Sequence, residues 1–383
     1  MGIEIYDRET INQMVWPETE EGKLARQHLL PLMLEGPEAF IQNAQTRLWV
    51  LKLDDLVIPL TVNEREYQNC YLLSSYFVAA GLKEKNEKAS AWRVLLSMPW
   101  IKLFSGLLKW IKINKVVIIN NWLLSTNPYP ELTASQIHVI TSCLKERFPD
   151  HYFMFRSVNN YRSAAVYNAL HQGQFRLIPC RQVYMYDPSL TSSLSSSVLR
   201  KQKKDTNRLS HRHYTVETVS TLAPIEIARL LHLYRNVYVD KYTSYSPLYT
   251  ERFLLSALKN QTLLLKVLKK EGIIYGVAGF LEKNGYLLVP FFGYDTSVAQ
   301  EEGLYRMLSA IIMQEIEARH LVSHQGSGAG QFKKWRGFFE QLEYVGIYDR
   351  HLPAFRRLFW ILSQKISPYF VTKSTSASAQ DNE

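Results

Sequence analysis

Ser323-His-Gln-Gly-Ser-Gly-Ala-Gly-Gln-Phe-Lys-Lys-Trp-Arg-Gly337 places three alternating glycines, Gly326, Gly328 and Gly330, directly before a Lys-Lys-x-Arg cluster. Glycine tolerates positive φ, so successive N–H groups in such a run can converge on an anion. Lys333, Lys334 and Arg336 supply the charge that a phosphate or carboxylate demands. The competing description is a glycine-rich hairpin loop beside a solvated basic turn. What surrounds the run fixes its setting. Residues 286–292 read as a strand and residues 301–319 as a helix with Leu304, Leu308, Ile311, Ile312 and Ile316 on one face. Residues 321–324 form a short strand before the loop, and residues 342–348 close as another.

The same order occurs earlier in the chain. Val116-Val-Ile-Ile119 reads as a buried strand, residues 132–148 as an amphipathic helix, 151–158 as a strand, 161–171 as a helix and 176–186 as a strand. The pattern predicts an α/β (α+β) fold of two similar domains in tandem, residues 1–190 and 191–372, each a mixed sheet flanked by helices. A Ser-rich and then basic segment around residues 189–205 is the natural boundary. The tail 373–383, KSTSASAQDNE, is polar and expected to be disordered. Residues 92–113 are rich in Trp, Leu and Ile but carry Arg93, Pro99, Lys102, Lys109 and Lys112, which predicts an amphipathic helical region broken at Pro99. A core or interdomain helix is the default there; with Trp100, Phe104 and Trp110 beside lysines, contact with a membrane surface is the alternative.

At 383 residues, 46% hydrophobic and 13% aromatic, the chain can bury a large core. Its three cysteines, Cys70, Cys143 and Cys180, are far apart and lack His partners at metal-ligand spacing, which points to a reducing compartment, the cytoplasm, and to no structural metal. No cleavable signal and no membrane-spanning stretch is expected. The formal charge of +10 implies acidic company: nucleic acid, anionic lipid, or a phosphorylated substrate. Part of that charge lies in Arg200-Lys-Gln-Lys-Lys204 with Arg208 and Arg212, which also reads as a solvated helix face.

In Val289-Pro-Phe-Phe-Gly293 the proline has no N–H for the ladder, so the sheet must bulge, splay or end there. A splayed strand offers unpaired backbone to which an extended amide-bearing ligand, such as a pantetheine arm, can bond; a harmless edge proline is the plain alternative. Gln300-Glu-Glu-Gly303 opens the following helix, where free N–H groups favour anions, although Glu301 and Glu302 oppose a diphosphate. Glu343 shares a face with Val345 and Ile347. An apolar face would raise its pKa toward that of a general base, whereas a Lys or Arg partner would make it structural. Asp240 and Asp295 are alternative carboxylates, and His324 reads as a hydrogen-bonded structural histidine. No Ser-His-Asp order, HExxH, Walker A or dinucleotide fingerprint occurs.

The order strand, Gln300-x-x-Gly303, helix, strand and terminal strand resembles the GNAT acyl-CoA N-acyltransferase superfamily. Ser327-Gly-Ala-Gly-Gln-Phe-Lys-Lys-Trp-Arg-Gly337, with Glu343-Tyr-Val-Gly-Ile-Tyr348 and His351-Leu-Pro353, is similar to the Fem-type and CelD-like branch, in which two GNAT-like domains occur in tandem. Tyr305 departs from the pattern, placing bulk where a cofactor diphosphate would approach. The resemblance implies transfer of an acyl or aminoacyl group from acyl-CoA, or from charged tRNA, to a small or lipid-like amine, with no metal. It assigns Gln300, Gly303, Gly326, Gly328, Gly330, Lys333, Lys334 and Arg336 to the donor, and Glu343 or Asp240 to the base or to acceptor orientation. Tyr242 and Tyr249 become proton donors or acceptor contacts. A catalytically silent module that uses its basic face on nucleic acid or anionic membrane is the reading from a different class.

Overall fold

The computed structural model describes residues 2–87 and 91–377. Its first half runs β1 (Ile3–Tyr6), α1 (Glu20–Glu35), β2 (Arg47–Leu53), β3 (Leu56–Asn63), α2 (Phe77–Glu87), α3 (Ala91–Trp110), β4 (Val116–Ile119), α4 (Ala134–Arg147), β5 (Tyr152–Asn159), α5 (Ala164–Gln172) and β6 (Arg176–Tyr186). The second runs α6 (Ser196–His211), β7 (Thr215–Val219), α7 (Pro224–Arg235), α8 (Glu251–Lys259), β8 (Leu264–Lys270), β9 (Ile273–Lys283), β10 (Tyr286–Tyr294), α9 (Leu304–Arg319), β11 (Val322–Gln325), α10 (Gly330–Lys334), β12 (Phe339–Tyr348) and α11 (Ala354–Ala377). The expected α/β architecture is present, with one order of elements occurring twice.

The repeat is explicit in the pairing. β1 to β4 form an antiparallel run and β5 joins β4 in parallel; β7 to β10 do the same, and β11 joins β10 in parallel. Parallel strands are covered on both faces and need apolar residues throughout, which is why all four residues of Val116-Val-Ile-Ile119 are buried. Each half then gives away its last strand. β6 pairs with β11 and β12 with β5, while β6 and β12 pair with each other from Phe339–Met185 to Ile347–Arg176. One sheet therefore runs through the molecule in the order β1-β2-β3-β4-β5-β12-β6-β11-β10-β9-β8-β7.

Packing follows the same interlock. A single apolar cluster takes Leu29 and Met33 from α1 together with Leu230 from α7, Leu254 from α8 and Phe291 from β10. Burial of a Leu side chain stabilises by about 1.5–3 kcal/mol, so this shared core couples the two halves strongly. Two expectations change. The α3 helix runs through Pro99 without a break. Proline removes one helical hydrogen bond, but Leu108 and the partly buried Phe104 pack against the core and hold the turns that follow that loss. The polar tail does not begin at Lys373 as irregular chain, because α11 continues to Ala377; residues 378–383 lie outside the described residues.

Candidate active site

The ladder between β10 and β11 stops at the pair Leu288–His324. Immediately beyond, the register of β10 against β9 slips between Leu288 and Phe291, placing Val289 and Pro290 in a bulge. This is where the sequence required the sheet to give way, since Pro290 cannot donate to a neighbour. A cavity of about 350 Å3 opens at the gap, walled by Val289, Pro290, Tyr305, the 326–329 loop and Lys333.

Lys333 is the cation of the cluster that faces this space without an acid. It is buried, its Nζ donates to the Gly326 carbonyl at 2.6 Å, and it lies 5.4 Å from the Tyr184 ring. Burial, with the nearby Arg181 charge, pulls the ammonium down to about 7. No Asp or Glu is among the described residues lining the cavity, whereas Arg181, Lys333 and Arg336 are. Arg181 and Arg336 have acid partners outside the cavity, Glu343 and Asp205, which leaves Lys333 as its positive group without an acid.

The other two cations of the cluster are committed elsewhere. Lys334 is half exposed and pairs with Glu340 at 2.8 Å. Arg336 touches the cavity, but its Nε donates to the buried Asp205 at 2.5 Å, its Nη1 to the Phe332 carbonyl, and its plane rests on the Phe332 ring. Adjacent residues on a helix point about 100° apart, so α10 cannot turn Lys333 and Lys334 to one ligand. The glycines also act differently from expectation. None of Gly326, Gly328 and Gly330 has positive φ; the left-handed residue is Ala329, at φ 53°. Gly330 is required for space, because a Cβ there would stand 2.1 Å from the Tyr184 hydroxyl oxygen. Gly337, with φ 86°, does need the torsional freedom.

Glu343 is fully buried and anchors a polar chain that ends at the cavity. It pairs with Arg181, its neighbour across the β12–β6 ladder, and accepts from His324 Nε2 at 3.1 Å. His324 Nδ1 lies 3.1 Å from the Thr126 hydroxyl, and Arg181 Nη2 donates to the Ser125 carbonyl. Burial pushes the Glu343 carboxyl up, yet the Arg181 charge and the His324 hydrogen bond outweigh it and hold the group down at about 2. The pairing with an arginine, and not a raised pKa, therefore describes this residue, and its hydrogen bond holds His324 in place. Asp240, at the end of a π-helical turn, is exposed and outside the cavity.

Tyr242 and Tyr249 both line the cavity, with Tyr71, Tyr234, Tyr238 and Tyr294. Tyr249 stacks on Phe253 at 4.2 Å, and burial raises its phenol well above the ordinary value, which keeps it protonated. Gln300 and Gly303 lie apart from this wall. Gly303, at φ 79°, caps α9 beneath Arg208, whose Nη1 donates to the Glu301 carbonyl at 2.8 Å, and Arg212 pairs with Glu302. The helix end is thus covered by α6. Tyr305 packs on Phe332 at 4.8 Å and fills the approach between them.

Local sequence did not disclose that the first half supplies Tyr71, Thr126 and Arg181. The only signal was the alternation of β6 and β12, which brings Arg181 opposite Glu343 once the two strands are known to pair.

No family model matches the chain, and no curated protein does. Solved structures similar to it include L-PGS from Bacillus licheniformis, at 13% identity and TM-score 0.48 over 67% of this chain and 83% of that one. A tandem GNAT protein from the clavulanic acid biosynthesis pathway gives 8% identity and TM-score 0.40 over 92% of this chain and 100% of that one. FemX gives 10% identity and TM-score 0.44 over 60% and 80%. At such values the assignment of the fold stands on the strand order and its repeat.

Proposed function

We propose that the chain is an N-acyltransferase that moves an acyl group from an acyl-CoA thioester to an amine by direct attack in a ternary complex. The observation that carries the reading is the gap past Leu288–His324, which opens a carboxylate-free cavity beside the buried Lys333. Lys333 would hold a donor phosphate, while the bulged backbone at Val289 and Pro290 would run along the pantetheine amides. The amine lone pair attacks the thioester carbonyl, the C–S bond breaks as the tetrahedral intermediate collapses, and the proton lost by nitrogen ends on the released thiol. Tyr242 and Tyr249 stand where a phenol could donate to the leaving sulfur or position the acceptor. His324, braced by Glu343, orients the floor of the site. Three unpaired thiols fit a reaction carried out in the cytoplasm.

Calorimetric titration with coenzyme A, followed by thiol release from a panel of acyl-CoAs, tests this. Binding that weakens at least about tenfold in Lys333→Met supports it, and a folded protein that binds no coenzyme A sinks it. A second reading, aminoacyl transfer from charged tRNA, is favoured by α6, where Arg200, Lys203 and Lys204 are exposed on one segment. Donor affinity would then fall steeply with salt, about one power of ten in salt for each power of ten in affinity per phosphate engaged.

A further inference from the structure

The α3 and α11 helices meet through Trp110 and Phe355, whose rings lie 4.8 Å apart, and both turn an apolar stripe to solvent. On α3 the exposed residues are Trp100, Leu103, Leu107 and Trp110, spaced by three, four and three. On α11 they are Phe355, Leu358, Leu362, Ile366 and Tyr369, spaced by three, four, four and three. Each spacing traces one helix face. Trp100 is 72% exposed and Leu103 65%. These are not core faces, because Leu108 and Trp360 on the same helices are already buried against the sheet. A lone exposed leucine needs no account, but two joined stripes across two helices do.

Charge selects the occupant. Neither helix contains a single Asp or Glu, while Lys102, Lys109, Arg357 and Lys365 accompany the stripes. A second copy of the chain docked by two-fold symmetry would set this basic surface against itself. A bilayer accepts all three features: leucines enter the acyl boundary, tryptophans sit among the headgroups, and lysines meet anionic phosphates. We infer that the α3–α11 face rests on an anionic phospholipid surface, with both helices lying in its plane. No helix among the described residues is long and apolar enough to cross a membrane, so the contact is peripheral. The layer also reaches the cavity. Glu84 of the adjoining α2 accepts from the Thr243 hydroxyl at 2.6 Å and from the Ser244 N–H, and Thr243 lines the cavity wall.

Flotation of the full chain with phosphatidylcholine vesicles, with and without an equal share of phosphatidylglycerol, tests the inference without requiring turnover. The expected result is flotation with the mixed vesicles only, reversed by high salt. Leu103→Glu with Leu107→Glu should abolish it while leaving thermal unfolding and coenzyme A titration unchanged. Lys102→Gln with Lys365→Gln should weaken it by about fivefold per lysine. No flotation of the parent chain, or equal flotation on neutral vesicles, overturns the inference. So does a sedimenting dimer that the Leu103→Glu, Leu107→Glu variant splits, which would give the face to a second copy. Because vesicle binding and donor binding are read separately, either result can fail alone.

Discussion

The two halves end their parallel strand pairs in opposite ways. After the last pair Ile119–Phe155, the first half folds its own chain back over the gap. Tyr129 donates its hydroxyl to the Arg156 carbonyl and packs on Phe155, Trp122 Nε1 donates to Asn120 Oδ1, and Asn127 Oδ1 accepts from the Trp122 N–H. After Leu288–His324 the second half leaves the space open. The same topology thus yields a filled seam and a cavity, and the difference lies in the residues that follow the strand. Asn120 donates to the Pro128 carbonyl and Asn121 to the Thr61 hydroxyl and the Leu72 carbonyl, which ties the returning chain down, whereas Val289 and Pro290 supply a bulge and no polar side chain. The filler also serves the open site, since Leu124, Ser125 and Thr126 continue from it into the cavity wall.

Trp122→Ala gives the largest effect that breaks the contrast. Trp122 is buried, and Lys283 Nζ sits 3.7 Å over its ring. Truncation should cost about 3–5 kcal/mol of stability, measured by urea unfolding, while any loss of coenzyme A affinity in the folded protein, passed on through Leu124, Ser125 and Thr126, should stay smaller than that of Lys333→Met. A variant that keeps its stability but loses the donor would mean that the first gap is functional and the contrast false.

Lys333→Met sharpens the contrast from the other side. The ammonium is the buried charge of the open gap, and removing one charge-assisted contact should weaken coenzyme A by about 1.5–3 kcal/mol, roughly tenfold to a hundredfold. The pH dependence follows from its lowered pKa. In the free site the proton leaves near 7, so affinity for an anion should fall as pH rises above 7, and binding near neutrality should take up protons, seen as a buffer-dependent heat. The unfolded chain keeps that proton to about 10.5. It therefore binds more protons than the folded chain between 7 and 10.5, and the stability of the free protein should rise with pH across that window.

What was legible in the sequence follows from range. The repeat and the opening at Pro290 were readable, because apolar periodicity and a missing N–H act within a few residues. The exchange of β6 and β12 was not, since pairing between residues more than a hundred apart leaves no local mark. That exchange puts Arg181 against Glu343 and reverses the direction in which the glutamate's pKa moves. Gly326 and Gly328 line the cavity, but the reason for glycine at Gly330 is the Tyr184 hydroxyl from a distant strand, which no spacing rule contains.

Lys334→Ala is the smallest change and the most discriminating about the cluster. The residue is one position from Lys333 and carries the same charge, so any account based on charge density alone expects the two to matter equally. The structure separates them: Lys334 pairs with Glu340 in solvent, where such pairs contribute about 0.2–1 kcal/mol and are screened by salt. Its loss should leave coenzyme A affinity within about twofold at physiological ionic strength, because screening over about 8 Å removes most of its reach into the cavity. An effect as large as that of Lys333→Met would place the donor's anion outside the cavity, on the exposed face of α10, and would remove the reason for treating the open gap as the donor site.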